Sequence, residues 1–201
     1  MARIGAKTPC RTPFDVSDAR GPLPESEAAT ARLFFALWPD DGLRETLVKT
    51  LRPLRKTATA RWVRPEHYHL TLVFLGAVPV ACLDRLMALA APLPFAPFEL
   101  EFQRVEFWPR PRVLCLTAVQ TPQPLAELVA GLNGVAAQLG LPVEQRPYRA
   151  HLTVARKAHE PPLETITPLH WPARDYCLVQ SVTRPEGPVY TVLRRFGAAG
   201  S

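Results

Sequence analysis

His69-Leu70-Thr71-Leu72 recurs 82 positions later as His151-Leu152-Thr153-Val154, and this repeat decides the fold. An aromatic residue leads into each copy: Tyr68 in the first, and Tyr148 of Tyr148-Arg149-Ala150 in the second. Both tetrads read as strands, in which alternate side chains share a face. His69 and Thr71 then point one way and Leu70 and Leu72 the other. His151 and Thr153 stand in the same relation to Leu152 and Val154. The aliphatic faces can pack on helices. The His/Thr faces would waste two polar groups each unless they line a cleft, so two similar halves facing one pocket are predicted.

The elements around the repeat fit that arrangement. Leu33-Phe34-Phe35-Ala36-Leu37-Trp38, closed by Pro39, reads as a buried strand. Asp40 or Asp41 caps a helix whose apolar face is Leu43, Leu47, Leu51 and Leu54, running to about Lys56. Residues 57–68 read as loop and short strand, and His69–Leu75 as a strand ending at Gly76. Val80, Leu83, Leu86 and Met87 mark a second helix stopped by Pro92. Phe98–Val105 and Arg112–Thr117 read as strands joined through Phe107-Trp108-Pro109. Thr121-Pro122 opens a third helix, with Thr121 as its cap, and Gly140 ends it. His151–Ala155, Asp175–Val182 and Tyr190–Phe196 complete the strands. This β-α-β-α-β-β-α-β-β-β order predicts an α+β protein with antiparallel sheets and helices on their outer faces.

The chain has 201 residues, 47% hydrophobic and 21% charged, enough for one or two domains with a real core and far from a disordered or fibrous composition. Residues 1–30 mix Pro, Ala, Ser, Thr and both charge signs without periodicity, and a disordered tail is expected there. They hold no continuous apolar core of a secretory signal. The uncharged stretch Leu86–Phe98 is too short to span a bilayer and contains three prolines. Cys10, Cys82, Cys115 and Cys177 lie far apart with no CxxC or zinc spacing, so reduced thiols in a cytoplasmic protein are expected. Net charge is +6 and only four of the 24 basic residues are Lys, which makes an anionic partner plausible because Arg forks suit phosphate. No P-loop, dinucleotide-binding Gly motif or Gly-x-Ser-x-Gly elbow is present.

Two imidazoles and two hydroxyls across one pocket suit a phosphoester. A neutral His takes a proton from water, a charged His gives one to the leaving oxygen, and the hydroxyls hold non-bridging oxygens. Histidine can play both parts near neutral pH. A single His-x-Thr in a strand is more often a satisfied core or surface group. Two copies with matching flanks, among only five His in the chain, make coincidence a poor account.

At these residues the sequence resembles the two-histidine (2H) phosphoesterase superfamily, closest to RNA 2′,3′-cyclic phosphodiesterases of the ThpR/LigT type. Arg32–Pro39 is similar to the family's first strand. Trp62-Val63 with His69–Gly76 is similar to its first motif block, and Tyr148–Arg156 to its second. Val179-Gln180-Ser181 and Tyr190 match its closing strands. The resemblance implies one bilobal domain over residues 31–198, two pseudo-symmetric lobes with the cleft between them. It implies hydrolysis of an RNA 2′,3′-cyclic phosphate to a 2′-phosphate without metal or cofactor, and for some members the reverse 2′-5′ joining of RNA. It gives His69 the role of proton donor, His151 that of base, and Thr71 and Thr153 phosphate binding. Two departures stand out: Ala150 where many relatives have Pro before the second His, and His67 where many have Asn or another polar residue. A monomer is expected.

Other residues carry weaker signals. Relatives often bind phosphate through a basic residue at the position of Arg156, yet strict alternation puts Arg156 on the face opposite His151. Tyr148 and Trp38 could stack on RNA bases, with packing as the alternative. Arg149, with Arg110, Arg112 and Arg146, could rim the cleft or stand on a solvated surface. His67 and His69 form His-x-His, which a metallohydrolase could use, but no acidic residue lies between Glu66 and Asp84. His159 and His170 are expected at the surface, and Cys82, Cys115 and Cys177 in the core. Three alternatives stand beside the RNA phosphodiesterase: an RNA-binding module of the same fold without turnover, an enzyme for small cyclic nucleotides, and the metal-dependent hydrolase.

Overall fold

The apolar run after Arg32 forms the body of β1 (Thr30–Leu37) in a computed structural model that describes residues 29–161 and 165–197. Asp40 caps α1 (Asp41–Thr57), accepting the Leu43 N–H at 2.7 Å, and Leu47, Leu51 and Leu54 are its buried stripe. The two-residue β2 (Arg61–Trp62) and a 3₁₀ turn at Pro65–His67 lead into β3 (Leu70–Pro79). α2 (Leu83–Ala90), β4 (Phe98–Trp108), β5 (Val113–Ala118), α3 (Gln123–Gln138) and β6 (His151–Arg156) follow. β7 (Leu169–Ala173), β8 (Asp175–Arg184) and β9 (Gly187–Gly197) close the chain.

Every strand pairing is antiparallel, in the order β7-β4-β5-β6-β3-β1-β8-β9, with β2 added to β6. The two repeat strands, β3 and β6, lie side by side at the centre, yet a single register pair, Leu70 with Leu152, joins them. Each heads a four-stranded half. One half is β3-β1-β8-β9, and the other, β6-β5-β4-β7, is continuous in sequence between Phe98 and Ala173. The α+β, two-lobed expectation is met, with the lobes stitched into one sheet. Among the described residues one large apolar cluster runs through both halves and takes in Leu70, Leu72, Leu152 and Val154.

Several boundaries differ from the sequence expectation. β3 does not end at Gly76: Phe34 pairs with Phe74 and Leu33 with Gly76, so Leu75 is bulged out and the strand continues to Pro79. Gly76, at φ 71°, supplies the left-handed residue that this bulge needs. β4 runs through Phe107 and Trp108, and the turn lies at residues 109–112. Thr121 does not cap α3; Pro122 stands at the cap position without a side-chain bond. β7 is absent from the expected order because Pro172 breaks its pattern. At the sheet edge, the missing N–H costs no ladder bond. The expected tail overlaps β1 at Thr30, and its residues 1–28, with Cys10, lie outside the described residues.

Candidate active site

The same irregularity shapes both repeat strands. Ala36 pairs with Thr71 and Phe35 with Val73, which skips Leu72. Cys115 pairs with Thr153 and Leu114 with Ala155, which skips Val154. Each strand thus carries a bulge three residues after its His. Leu72 and Val73 are both buried, as are Val154 and Ala155, so the alternation is reset. The residue five after each His returns to the cleft face. For the second strand that residue is Arg156, which lines the cavity with His69, Thr71, His151 and Thr153. The strict alternation that turned Arg156 away from His151 is overturned by this bulge. For the first strand the matching residue is Phe74.

The histidines are held alike. His69 Nδ1 lies 2.7 Å from the His67 carbonyl, and His151 Nδ1 lies 2.8 Å from the Arg149 carbonyl. A carbonyl only accepts, so Nδ1 carries the proton in each ring and Nε2 is left to exchange protons. Their surroundings differ. Trp38 stacks flat on His69 at a centroid distance of 5.4 Å and an interplanar angle of 7°. Phe34 and Tyr190 approach it at 5.0 and 5.1 Å. Burial among these rings, with the charges of Arg156, His67 and His151 adding to it, pushes the His69 pKa down to about 4, against the help of the His67 carbonyl. His151 packs on Trp108 at 4.7 Å, and its pKa is lowered chiefly by burial and further by Arg149.

The shared cavity has a volume of about 390 Å³. Arg61, Arg64 and Arg156 line it, and among the described residues none of the three has a carboxylate within 4 Å. The Trp62 indole N–H, at the same wall, is buried without a partner. Thr153 Oγ1 lies 3.7 Å from the Cys115 thiol, whose pKa burial pushes up to about 11, so that thiol stays protonated. The site therefore offers hydroxyls, guanidinium groups and neutral imidazoles to an anion.

The remaining sequence candidates have specific places. Trp38 is half-buried and its face is taken by His69. Tyr148 donates its hydroxyl to the Thr71 carbonyl at 3.1 Å while its ring lines a second, neighbouring cavity. Arg149 is held by Glu106 at 2.7 Å and covers Trp108. Arg146 pairs with Glu144, and Arg112 binds the Ala158 carbonyl and His159. His170 is exposed and pairs with Glu99. His67 sits in the 3₁₀ turn and meets the edge of Tyr190, so the His-x-His is not one face of a strand. No group of three or more His, Cys, Asp or Glu that could hold a metal occurs among the described residues. Sequence reasoning gave no role to Phe34 or Trp108 at the site and saw in Tyr190 only a closing strand. Tyr190 reaches His69 only because β8 and β9 lie beside β1, an order that local patterns do not encode.

A profile described as LigT-like phosphoesterase matches residues 37–115. An RNA 2′,3′-cyclic phosphodiesterase of Thermus thermophilus is 33% identical over 184 residues, 84% of this chain and 91% of the relative. One of Archaeoglobus fulgidus is 32% identical over 82% of this chain and 99% of the relative. The crystal structure of Escherichia coli LigT complexed with 3′-AMP superposes with a TM-score of 0.76 at 29% identity, covering 86% of this chain and all of that one.

Proposed function

The chain belongs to the LigT-like phosphoesterase family, and from that membership we propose that it hydrolyses 2′,3′-cyclic phosphate ends of RNA to 2′-phosphates. The observation that carries the mechanism is the matched pair of His rings, each anchored through Nδ1 to the carbonyl two residues before it, in one cavity with Arg156. His151, neutral, takes a proton from water through Nε2 as the water oxygen attacks phosphorus. The P–O3′ bond breaks, and His69 gives its Nε2 proton to O3′. A 2′-phosphate and a 3′-hydroxyl result, and solvent returns the two rings to their starting states. Thr71, Thr153 and Arg156 hold the non-bridging oxygens as charge builds on them. The assignment of donor and acceptor follows the family resemblance.

His69 must carry a proton to act as the acid, although its ring is neutral at neutral pH before substrate binds. A bound phosphodiester supplies a negative charge beside it and offsets Arg156. Both changes favour the imidazolium, so substrate binding brings the proton in with it. With a 5′-hydroxyl in place of water, the same pair would open the cyclic phosphate: the P–O3′ bond breaks, O3′ takes the His69 proton, and a 2′-5′ diester forms. The test is hydrolysis of a cyclic-phosphate-ended oligonucleotide and of a 2′,3′-cyclic mononucleotide, each with and without EDTA. Turnover of both that survives EDTA is expected. Turnover of the mononucleotide alone supports the small-nucleotide enzyme, tight RNA binding without turnover supports the binding module, and abolition by EDTA restores the metal-dependent reading.

A further inference from the structure

The two histidine rings share one anchor geometry, but the anchors themselves are held by different means. The His67 carbonyl, which accepts the His69 Nδ1 hydrogen bond, sits in a 3₁₀ turn closed by backbone bonds. There the His67 N–H donates to the Arg64 carbonyl at 2.9 Å and the Tyr68 N–H to the Pro65 carbonyl at 3.1 Å. The Arg149 carbonyl, which does the same for His151, belongs to residues 141–150, which form neither helix nor strand. A side chain on another strand fixes that carbonyl instead. Both Glu106 carboxylate oxygens accept from Arg149 Nη2, at 2.9 and 2.7 Å. The same carboxylate accepts the Trp108 indole N–H at 3.3 Å and the Arg104 Nε–H at 2.9 Å. Trp108 is the ring on which His151 packs, and the Arg149 guanidinium lies 5.5 Å from the Trp108 ring centroid. Glu106 therefore holds both contacts that orient His151: the carbonyl behind it, through Arg149, and the ring beside it, through Trp108.

Strand register puts the carboxylate there. Glu106 pairs with Cys115, and Cys115 with Thr153, so the three side chains stand in one row across β4, β5 and β6 on the cleft face. The Glu106 side chain is only 18% exposed. Burial opposes its charge, but the hydrogen bonds of Trp108 and Arg104 and the charge of Arg149 outweigh it and hold the carboxyl below its ordinary pKa. An ionised carboxylate shared among Arg104, Trp108 and Arg149 makes the cluster stiff. Glu106 itself lines neither cavity of the cleft.

We propose that Glu106 is a positioning residue of the reaction: through Arg149 and Trp108 it fixes the angle at which the His151 ring presents Nε2 to water, and its charge offsets that of Arg149 beside the ring. The titratable and charged groups facing His151 are Arg149, Tyr148 and the Glu144–Arg146 pair from the segment before it, His69 across the cavity and Arg156 on its own strand. Among them Arg149 is the one whose charge lowers the His151 pKa, so the carboxylate that neutralises Arg149 also sets the basicity of the ring. The proposal rests on the phosphodiesterase reading for the role of His151, but the titration of the ring can be measured without turnover.

The experiment measures turnover of adenosine 2′,3′-cyclic phosphate by Glu106→Gln, Arg149→Ala and the double variant, and follows the His151 ring of each free protein by NMR titration. Each single variant is expected to lower kcat by about 10- to 100-fold, the order that a misplacement of about 1 Å costs, with KM within about threefold of wild type. The double variant should be no slower than the slower single one, because the two residues act as a unit. The His151 pKa should move in opposite directions in the two single variants. It falls in Glu106→Gln, where the Arg149 charge stands unopposed, and rises in Arg149→Ala, where the carboxylate remains. A residue that merely stabilised the fold would slow both variants without these opposed shifts, and that result would overturn the proposal. Additive losses in kcat would overturn it too, as would a raised KM in Arg149→Ala with a lowered KM in Glu106→Gln, the signature of Arg149 touching substrate. Should Glu106→Gln not fold, Arg149→Ala decides alone, since that side chain is 53% exposed. A lower kcat at unchanged KM with a raised His151 pKa supports the proposal, and any other pattern overturns it. An absence of turnover in the wild-type protein would sink the phosphodiesterase reading alone. The opposed NMR shifts would then still decide whether Glu106 governs His151.

Discussion

The Tyr148 hydroxyl donates to the Thr71 backbone carbonyl at 3.1 Å, tying the segment before the second histidine to the strand after the first. Only one register pair joins β3 and β6, so this side-chain bond is a second link across the seam beside both histidines. Tyr148→Phe keeps the ring and removes the bond. A stability loss of about 1 kcal/mol is expected in denaturant titration, the usual worth of a neutral hydrogen bond. A several-fold fall in kcat should accompany it as the two histidines lose registration. If the phenol served only as a stacking surface, this variant would match wild type in both measurements.

Replacing either histidine tests the acid–base pair. His69→Ala and His151→Ala should each lower kcat by roughly 10²- to 10⁴-fold. Circular dichroism should stay near wild type for both, because neither ring donates a hydrogen bond that holds two strands together, while the unfolding midpoint should fall more for His69→Ala, whose ring packs on Trp38, Phe34 and Tyr190. A variant that kept near wild-type turnover would remove its histidine from the mechanism.

The pH dependence has a defined sign. The proposed acid–base pair needs one proton shared between His69 and His151, and both are depressed below the ordinary 6.5 in the free protein, His69 to about 4. The single-proton form therefore disappears as pH rises past a value below 6.5. The profile of kcat/KM, which reports the free enzyme, should be bell-shaped with its alkaline limb below pH 6.5. The kcat profile reports the complex, where the bound phosphate raises His69, and should hold to higher pH. Coincident alkaline limbs in the two profiles would contradict substrate-linked protonation.

In the proposed mechanism Arg156 joins phosphate binding to that titration, since it both lines the cavity and helps depress His69. Arg156→Ala should lower kcat/KM by at least about tenfold, as expected for a charge-assisted contact worth roughly 1.5–3 kcal/mol. It should also move the alkaline limb of kcat/KM upward, because a positive charge has gone. Arg156→Lys should recover the limb's position better than the rate, since a point charge replaces a fork. A lower rate with an unmoved limb would leave Arg156 as a binding group only.

Much of this was legible in the chain. The His-x-Thr repeat gave both strands and both imidazoles because its chemistry is written in adjacent residues. The leucine stripe of α1 and the Asp40 cap were readable for the same reason. What failed was whatever depends on neighbouring strands. Arg156 looked misdirected because a bulge is set by pairing with β5, not by the sequence of β6 alone. β7 was hidden by a proline that only an edge strand tolerates. The contacts of Trp38 with the His69 ring and of the Tyr148 hydroxyl with the Thr71 carbonyl are equally unreadable, because those partners belong to other elements.

The half of the sheet that carries His69 is assembled from the two ends of the chain: β1 and β3 come early, and β8 and β9 come last. The wall that Tyr190 builds beside His69 is therefore synthesised after both histidines. A nascent polypeptide halted before Asp175 already contains both histidines but not the hairpin that encloses one of them, so the wall around His69 cannot form until β8 and β9 have been made.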